Sequence, residues 1–438
     1  MSEISLALAL DLVIVAICAG FLWASGRLSA FHPAVLYIFC HLYAVTARLL
    51  TLLGGVIPLA PLHEVLRAAF LCDIALIAVT GVFLHLARTA DRQVRMHSHA
   101  KARTLQSRYV VMVAAVAFMI GLVGLWYFRF SGVDVISQGT LGGWSSSSWL
   151  WITIYWPIQA VVMWHYIFGF RPVPLLVTAA IFVITALSAA RFPVVIFGIF
   201  LCLSFLSRRG LRWPPARILA VLAILAVVWF PLKVISASAW AGDDLGTMAQ
   251  KAVNYTANNV VEGGGDLQFL DQAATVMTLV DEHEHYFYGT TLLPLLVSPV
   301  PRVWWPDKPA LNQYMRDIQT QDRPIAALGM VSLLIGEGYA NGGYLGAVLF
   351  PMLAAWCYGR AYFSAMRKPH NSLGKFAYLV FLPTLIQVFR DGLVAVVIFN
   401  VIVSMPMMFV IYLHYAFASR QRLAQAAAPR LAVGRAGS

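Results

Sequence analysis

Residues 237–285 read ASAWAGDDLGTMAQKAVNYTANNVVEGGGDLQFLDQAATVMTLVDEHEH, a polar stretch in a chain that is otherwise mostly apolar. Extended to residue 343, the segment holds Asp243, Asp244, Glu262, Asp266, Asp271, Asp281, Glu282, Glu284, Asp307, Asp317, Asp322 and Glu337. That is 12 of the 19 acidic residues, against only Lys251, Arg302, Lys308, Arg316 and Arg323. On either side lie long apolar runs joined by short basic linkers. The contrast predicts an all-α polytopic membrane protein with one large loop domain on the side away from the cytoplasm. Function is expected in that domain.

Composition supports a lipid environment. The chain is 60% hydrophobic and 11% charged, with a mean hydropathy of +0.76. A water-soluble core cannot absorb that much apolar surface. The net charge of +12 would suggest nucleic acid in a soluble protein. Here the basic residues cluster between apolar runs, at Arg88–Arg108, Arg208–Arg217, Arg367–Lys375 and from Arg420 onward. That is the pattern of cytoplasmic linkers, so no nucleic-acid partner is expected. All five cysteines lie in apolar runs, which predicts buried small residues rather than a disulfide framework. The N-terminus lacks a basic n-region, so no cleaved signal peptide is expected.

A helix crosses the bilayer with roughly 17–25 apolar residues. Candidate spans are about 5–25, 33–57, 65–87, 109–130 and 148–170, then two short helices within 173–207 turning at Arg191 and Pro193. Further spans are 218–236, 344–364, 376–390 and 391–415, the last two divided at Arg390-Asp391. About 11 transmembrane helices result, with 13 as the upper count. The division is an N-terminal bundle at 1–236, an external segment at 237–343, C-terminal helices at 344–416 and a basic tail at 417–438, read as disordered. With basic linkers inside, the N-terminus is outside, the C-terminus is inside, and Arg191 and Arg390 face the same side as the acidic segment. Within that segment, runs at 286–300 and 326–339 are apolar but cut by Pro or Gly. Re-entrant or interfacial helices fit them, and two further spans would preserve the parity.

Several residue sets could carry chemistry. Asp281-Glu282-His283-Glu284-His285 has metal-ligand atoms, but alternate residues in so short a run rarely close a shell, so no metal is assigned. Pro301-Arg302-Val303-Trp304-Trp305-Pro306-Asp307-Lys308-Pro309 is a stiff extended loop. It could hold a pyrophosphate by charge and a sugar by stacking, or act as an interfacial anchor. Glu337 lies between Gly336 and Gly338, followed by Tyr339 and Asn341; a Glu ending an apolar run is costly without a partner. The alternative is a flexible turn whose Glu faces water. Arg191 and Arg390 read as anion clamps or as snorkelling side chains. Arg48, Asp73, His85, Arg129 and His165 are given structural roles.

Taken in order, the Arg191 hairpin, the large loop, Tyr288-Gly289-Thr290-Thr291, Pro301-Arg302…Trp305-Pro306…Lys308-Pro309, Gly336-Glu337…Tyr339…Asn341-Gly342 and Arg390 resemble the Wzy-type O-antigen and exopolysaccharide polymerases. The resemblance is most specific over residues 286–346. The turn Ala189-Ala190-Arg191-Phe192-Pro193 has no glycine, so a scheme of paired Arg- and Gly-bearing loops does not carry over. The resemblance implies a bacterial inner-membrane glycosyltransferase with no cofactor. It would move a growing glycan from undecaprenyl pyrophosphate onto the terminal sugar of a lipid-linked repeat unit, at the periplasmic face. Glu337 would be the general base, with Asp281, Glu282 or His283 behind it. Arg191, Arg302, Arg316, Arg323 and Arg390 would hold the pyrophosphate, with Trp304, Trp305, Lys308, Tyr339 and Asn341 completing the substrate site. A flippase and a chain-length regulator are the implied partners. An O-antigen ligase-like enzyme and, from another class, a lipid-linked oligosaccharide transporter are the alternatives.

Overall fold

A computed structural model describes residues 2–26, 28–96, 105–130, 152–188, 192–220, 243–261, 268–297, 313–319, 331–366, 372–393 and 403–417, with isolated positions between 234 and 309. The fold is all-helical, with no strand among the described residues. Five helices are long and apolar enough to cross a membrane: α1 (Glu3–Ala24), α2 (Pro33–Leu53), α3 (Leu62–Ala90), α4 (Ser107–Tyr127) and a later one at Ser372–Asp391. The helix of α3 itself continues to Met96. These starts and ends fall within a few residues of the apolar runs. Along α1, the side chains of Leu6, Val13, Ile17, Phe21 and Trp23 are exposed. An apolar face of that length is covered by lipid in a membrane protein.

Between and after these lie α5 (Trp156–Phe168), α6 (Pro172–Ser188), α7 (Phe192–Arg209), α8 (Leu245–Val261) and α9 (Phe269–Glu282). Short helices follow at Leu293–Val297 (α10) and Gln313–Ile318 (α11). The run at 286–300 therefore forms no span: it is a 3-10 turn at Thr290–Leu292 and the five residues of α10. The long α12 (Leu333–Met366) follows, then α13 (Ser372–Asp391) and α14 (Met405–Phe417).

One core joins α1, α2, α3, α9 and α12; a second joins α4, α5, α7, α13 and α14. The amphipathic α9, from the acidic stretch, is packed into the first core. Leu270, Ala273, Ala274, Val276, Met277 and Leu279 are fully buried. Burying α9 also buries Asp271, and α2 supplies its counter-charge. Arg48 donates from Nε to Oδ1 at 2.8 Å and from Nη2 to Oδ2 at 2.6 Å, and the Leu59 N–H adds a third bond at 2.8 Å. Such a fork-to-fork pair fixes geometry as well as charge. The structural role given to Arg48 is thus an ion pair across 223 residues of sequence.

Helix α12 is two arms. At Gly342 and Gly343 the backbone leaves helical geometry, and Gly343 has φ 58°. The arms then cross closely. A Cβ on Gly338 would strike the Gly346 carbonyl, and one on Gly346 the Gly338 carbonyl. Two glycines make that approach possible. Cys18, Cys40 and Cys72 are buried as expected, whereas Cys202 is half-buried and Cys357 is exposed on α12.

Candidate functional site

The first arm of α12, before the kink and outside the spanning helices, presents Glu337, Tyr339 and Asn341. Asn341 ties this arm to the turn at Tyr288–Thr291. Its Oδ1 accepts from the Gly289 N–H at 2.7 Å, and its Nδ2 donates to Thr291 Oγ1 at 2.7 Å and to the Glu337 carbonyl at 2.7 Å. The Phe287 N–H donates to the Ala340 carbonyl at 2.8 Å, closing the same junction. Gly289 has φ 91°, which a glycine accommodates without strain.

Glu337 joins a third element. Its Oε2 accepts the Leu393 N–H at 2.6 Å, in the turn that ends α13, and its Oε1 accepts from the Thr291 hydroxyl at 3.4 Å. Gly392 has φ 86°, and a Cβ there would overlap the Glu337 carboxylate. Three stretches separated in sequence, Tyr288–Thr291, Glu337–Asn341 and Arg390–Leu393, thus meet around one carboxyl group. That carboxyl is 1% exposed. Burial pushes it up to about 8; the Leu393 N–H and the Thr291 hydroxyl pull it down, and the nearby Asp391 carboxylate adds to the rise.

Beside it is a second network. Tyr339 donates to Asp281 Oδ1 at 2.7 Å, and Arg67 donates to Asp281 Oδ2 at 2.8 Å. Arg67 also pairs with Glu64 at 2.8 Å and lies 5.5 Å from the Tyr339 ring centre. Asp281 is therefore engaged by a guanidinium and a phenol, which suits holding Arg67 better than taking a proton. His283 Nε2 sits 2.9 Å from the Ile318 carbonyl. Tyr286 and Tyr344 pack edge-on against Tyr339 at 6.2 and 5.4 Å, and Tyr288 against Tyr286 at 6.2 Å. Tyr288 and Tyr344 are exposed, so the network carries an accessible aromatic surface.

Arg390 packs 5.4 Å from the Phe269 ring and lies 3.5 Å from Asp391. Trp304 and Trp305 are exposed. Arg191, Arg302, Lys308 and Arg323 lie outside the described residues, and of Arg316 only the backbone, in α11, is described. The site thus brings together Glu337, Tyr339, Asn341 and Asp281, while the Arg390 side chain lies against Phe269 and Asp391 at the start of the turn that meets Glu337. Arg67, Tyr286 and Tyr344 escaped the sequence reading. For Arg67 a signal existed: an arginine three residues after Glu64 at the start of an apolar run, where an unpaired charge is costly.

No family model matches the chain, and searches of curated proteins and of solved structures found no match.

Proposed function

We propose that this chain is a polysaccharide polymerase of the bacterial inner membrane, using a polyprenyl-pyrophosphate-linked glycan as donor and a lipid-linked repeat unit as acceptor. The observation that carries it is the convergence of Tyr288–Thr291, Glu337–Asn341 and Arg390–Leu393 around one buried carboxyl. These are three of the sequence elements on which the polymerase resemblance rests. The topology that goes with it has about 11 spans, the segment 237–343 outside, the N-terminus periplasmic and the C-terminus cytoplasmic, from the placement of the basic linkers.

The chemistry needs a cation for the departing pyrophosphate, a surface for sugar rings and a base for a weakly nucleophilic hydroxyl. Arg67, bonded to Asp281, and Arg390, two residues before the Gly392 turn, are candidate cations, with Arg191, Arg302, Arg316 and Arg323 as further pyrophosphate ligands. Tyr288 and Tyr344, with half-buried Tyr286 between them and buried Tyr339 behind, offer the aromatic surface, and Trp304 and Trp305 a second one. Glu337 is the base. A carboxyl near 8 is basic enough to draw on a hydroxyl proton, and access to it requires the turn at Gly392 to swing away. Thr291 and Asn341 orient it.

One observation favours the transporter alternative: Asp11, His41 and Asp73 are buried together along α1, α2 and α3, and ionisable groups inside spanning helices mark transport pathways. Gene deletion separates the classes. Polymerase loss leaves surface glycan of single repeats. Full-length polymer that stays unattached identifies a ligase, and absence of any external product identifies a transporter.

A further inference from the structure

Three ionisable side chains meet inside the first core, and the polymerase chemistry uses none of them. Asp11 stands near the middle of α1, His41 within α2 and Asp73 within α3. They are 0%, 0% and 3% exposed. His41 Nε2 lies 2.7 Å from Asp11 Oδ1 and 3.3 Å from Asp73 Oδ1. Thr46 donates to the other Asp11 oxygen at 2.6 Å. One donor atom from each of the three lies within 4.8 Å of the other two. Among the described residues no lysine or arginine pairs with either carboxylate, so His41 is the single basic partner for two acids.

Protein groups alone leave this cluster incomplete. Asp73 Oδ1 is buried and faces the imidazole at 3.3 Å without a well-formed hydrogen bond. An unmet acceptor on a carboxylate in an apolar bundle is expensive. We propose that Asp11, His41 and Asp73 bind one divalent transition-metal ion that clamps α1, α2 and α3 together. Two carboxylates and a neutral imidazole carry two negative charges, which one divalent ion cancels. The set of one nitrogen and two oxygens suits zinc or manganese rather than a soft monovalent or a large hard ion. Ligand atoms at about 2.0–2.1 Å from a tetrahedral ion stand roughly 3.3 Å apart, which is the His41–Asp73 spacing; His41 and Asp11 need only part slightly. The Thr46 hydroxyl orients Asp11, as partners of metal ligands do. The clamp is independent of the polymerase assignment.

The test is metal content of the untagged full-length protein in mild detergent, measured by inductively coupled plasma mass spectrometry before and after incubation with Zn²⁺ or Mn²⁺. The wild type should hold about one equivalent per chain. Asp73→Asn and His41→Gln should hold less than about a tenth of that, and their melting temperatures should not respond to added metal. Should those variants aggregate, Thr46→Val keeps all three ligands and should bind metal roughly 10–100-fold more weakly. A wild type that stays metal-free after incubation, or equal metal in wild type and Asp73→Asn, overturns the proposal and leaves a proton-sharing network.

Discussion

Replacing Glu337 with Gln keeps the size of the side chain and removes its charge. In the wild type the carboxyl is pushed from an ordinary 4.5 to about 8 by burial. The sign follows from linkage. Below pH 4.5 the group is neutral in both folded and unfolded chains, and nothing is lost. Between 4.5 and 8 the unfolded chain releases its proton while the folded one retains it, so stability falls as pH rises and levels off above 8. At pH 7 the accumulated cost is about 3 kcal/mol, at roughly 1.4 kcal/mol per pH unit. Gln avoids it. Its carbonyl can accept the Leu393 N–H, and its amide can donate to Thr291, the two groups that contact Glu337 now. Glu337→Gln is therefore expected to be more stable than wild type at pH 7, by up to about 3 kcal/mol, and to converge with it near pH 4–5. Turnover should drop by roughly 10²–10⁴-fold. Wild-type kcat/KM should rise about tenfold per pH unit up to about 8, and the variant should lose that limb. Denaturant or thermal unfolding at several pH values, beside turnover of the same preparation, measures both. A Gln variant that is less stable at pH 7 and turns over normally would mean that Glu337 is an ionised structural latch and not the base.

Three further outcomes are expected. Asp271→Asn strands the buried Arg48 guanidinium and should cost about 3–5 kcal/mol, measurable as a fall in unfolding midpoint; a change under about 1 kcal/mol would place the pair in solvent. Gly392→Ala puts a side chain at φ 86° and into the Glu337 carboxylate, so it should cost at least about 2 kcal/mol and abolish turnover; wild-type stability and activity would remove the turn from the site. Single cysteines at Gly264 and Ser372, in a background without native cysteines, should react oppositely with an impermeant thiol reagent on spheroplasts. Gly264→Cys should label and Ser372→Cys should not, and equal labelling would overturn the topology.

The apolar runs made the early helices legible because a lipid-facing helix must be apolar along its whole length. The expected spans 5–25 and 33–57 correspond to Ser2–Ala24 and Pro33–Leu53. The pairings were not legible. Asp271 in an acidic stretch gives no local sign that its partner is Arg48, and Asp11, alone in an apolar run, gives none of His41 or Asp73. Both sets exist only once helices distant in sequence are side by side. At the site, glycines flanking an apolar-run Glu were a usable signal, because Gly338 and Gly346 must meet for the arms of α12 to cross. The turn that receives Glu337 was hidden. A glycine after Arg390-Asp391 reads as an ordinary helix end, and only the fold shows that its missing side chain makes room for a carboxylate 55 residues earlier in the chain.

Repeat-unit polymerisation is best tested with purified protein in detergent, supplied with a synthetic polyprenyl-pyrophosphate-linked repeat unit as the sole substrate, and products read by mass spectrometry. A ladder of glycans growing by whole repeats with release of polyprenyl pyrophosphate, lost in Glu337→Gln, is the predicted result. Unchanged substrate from a folded wild-type preparation, while the same protein moves that lipid across vesicle membranes, would contradict it.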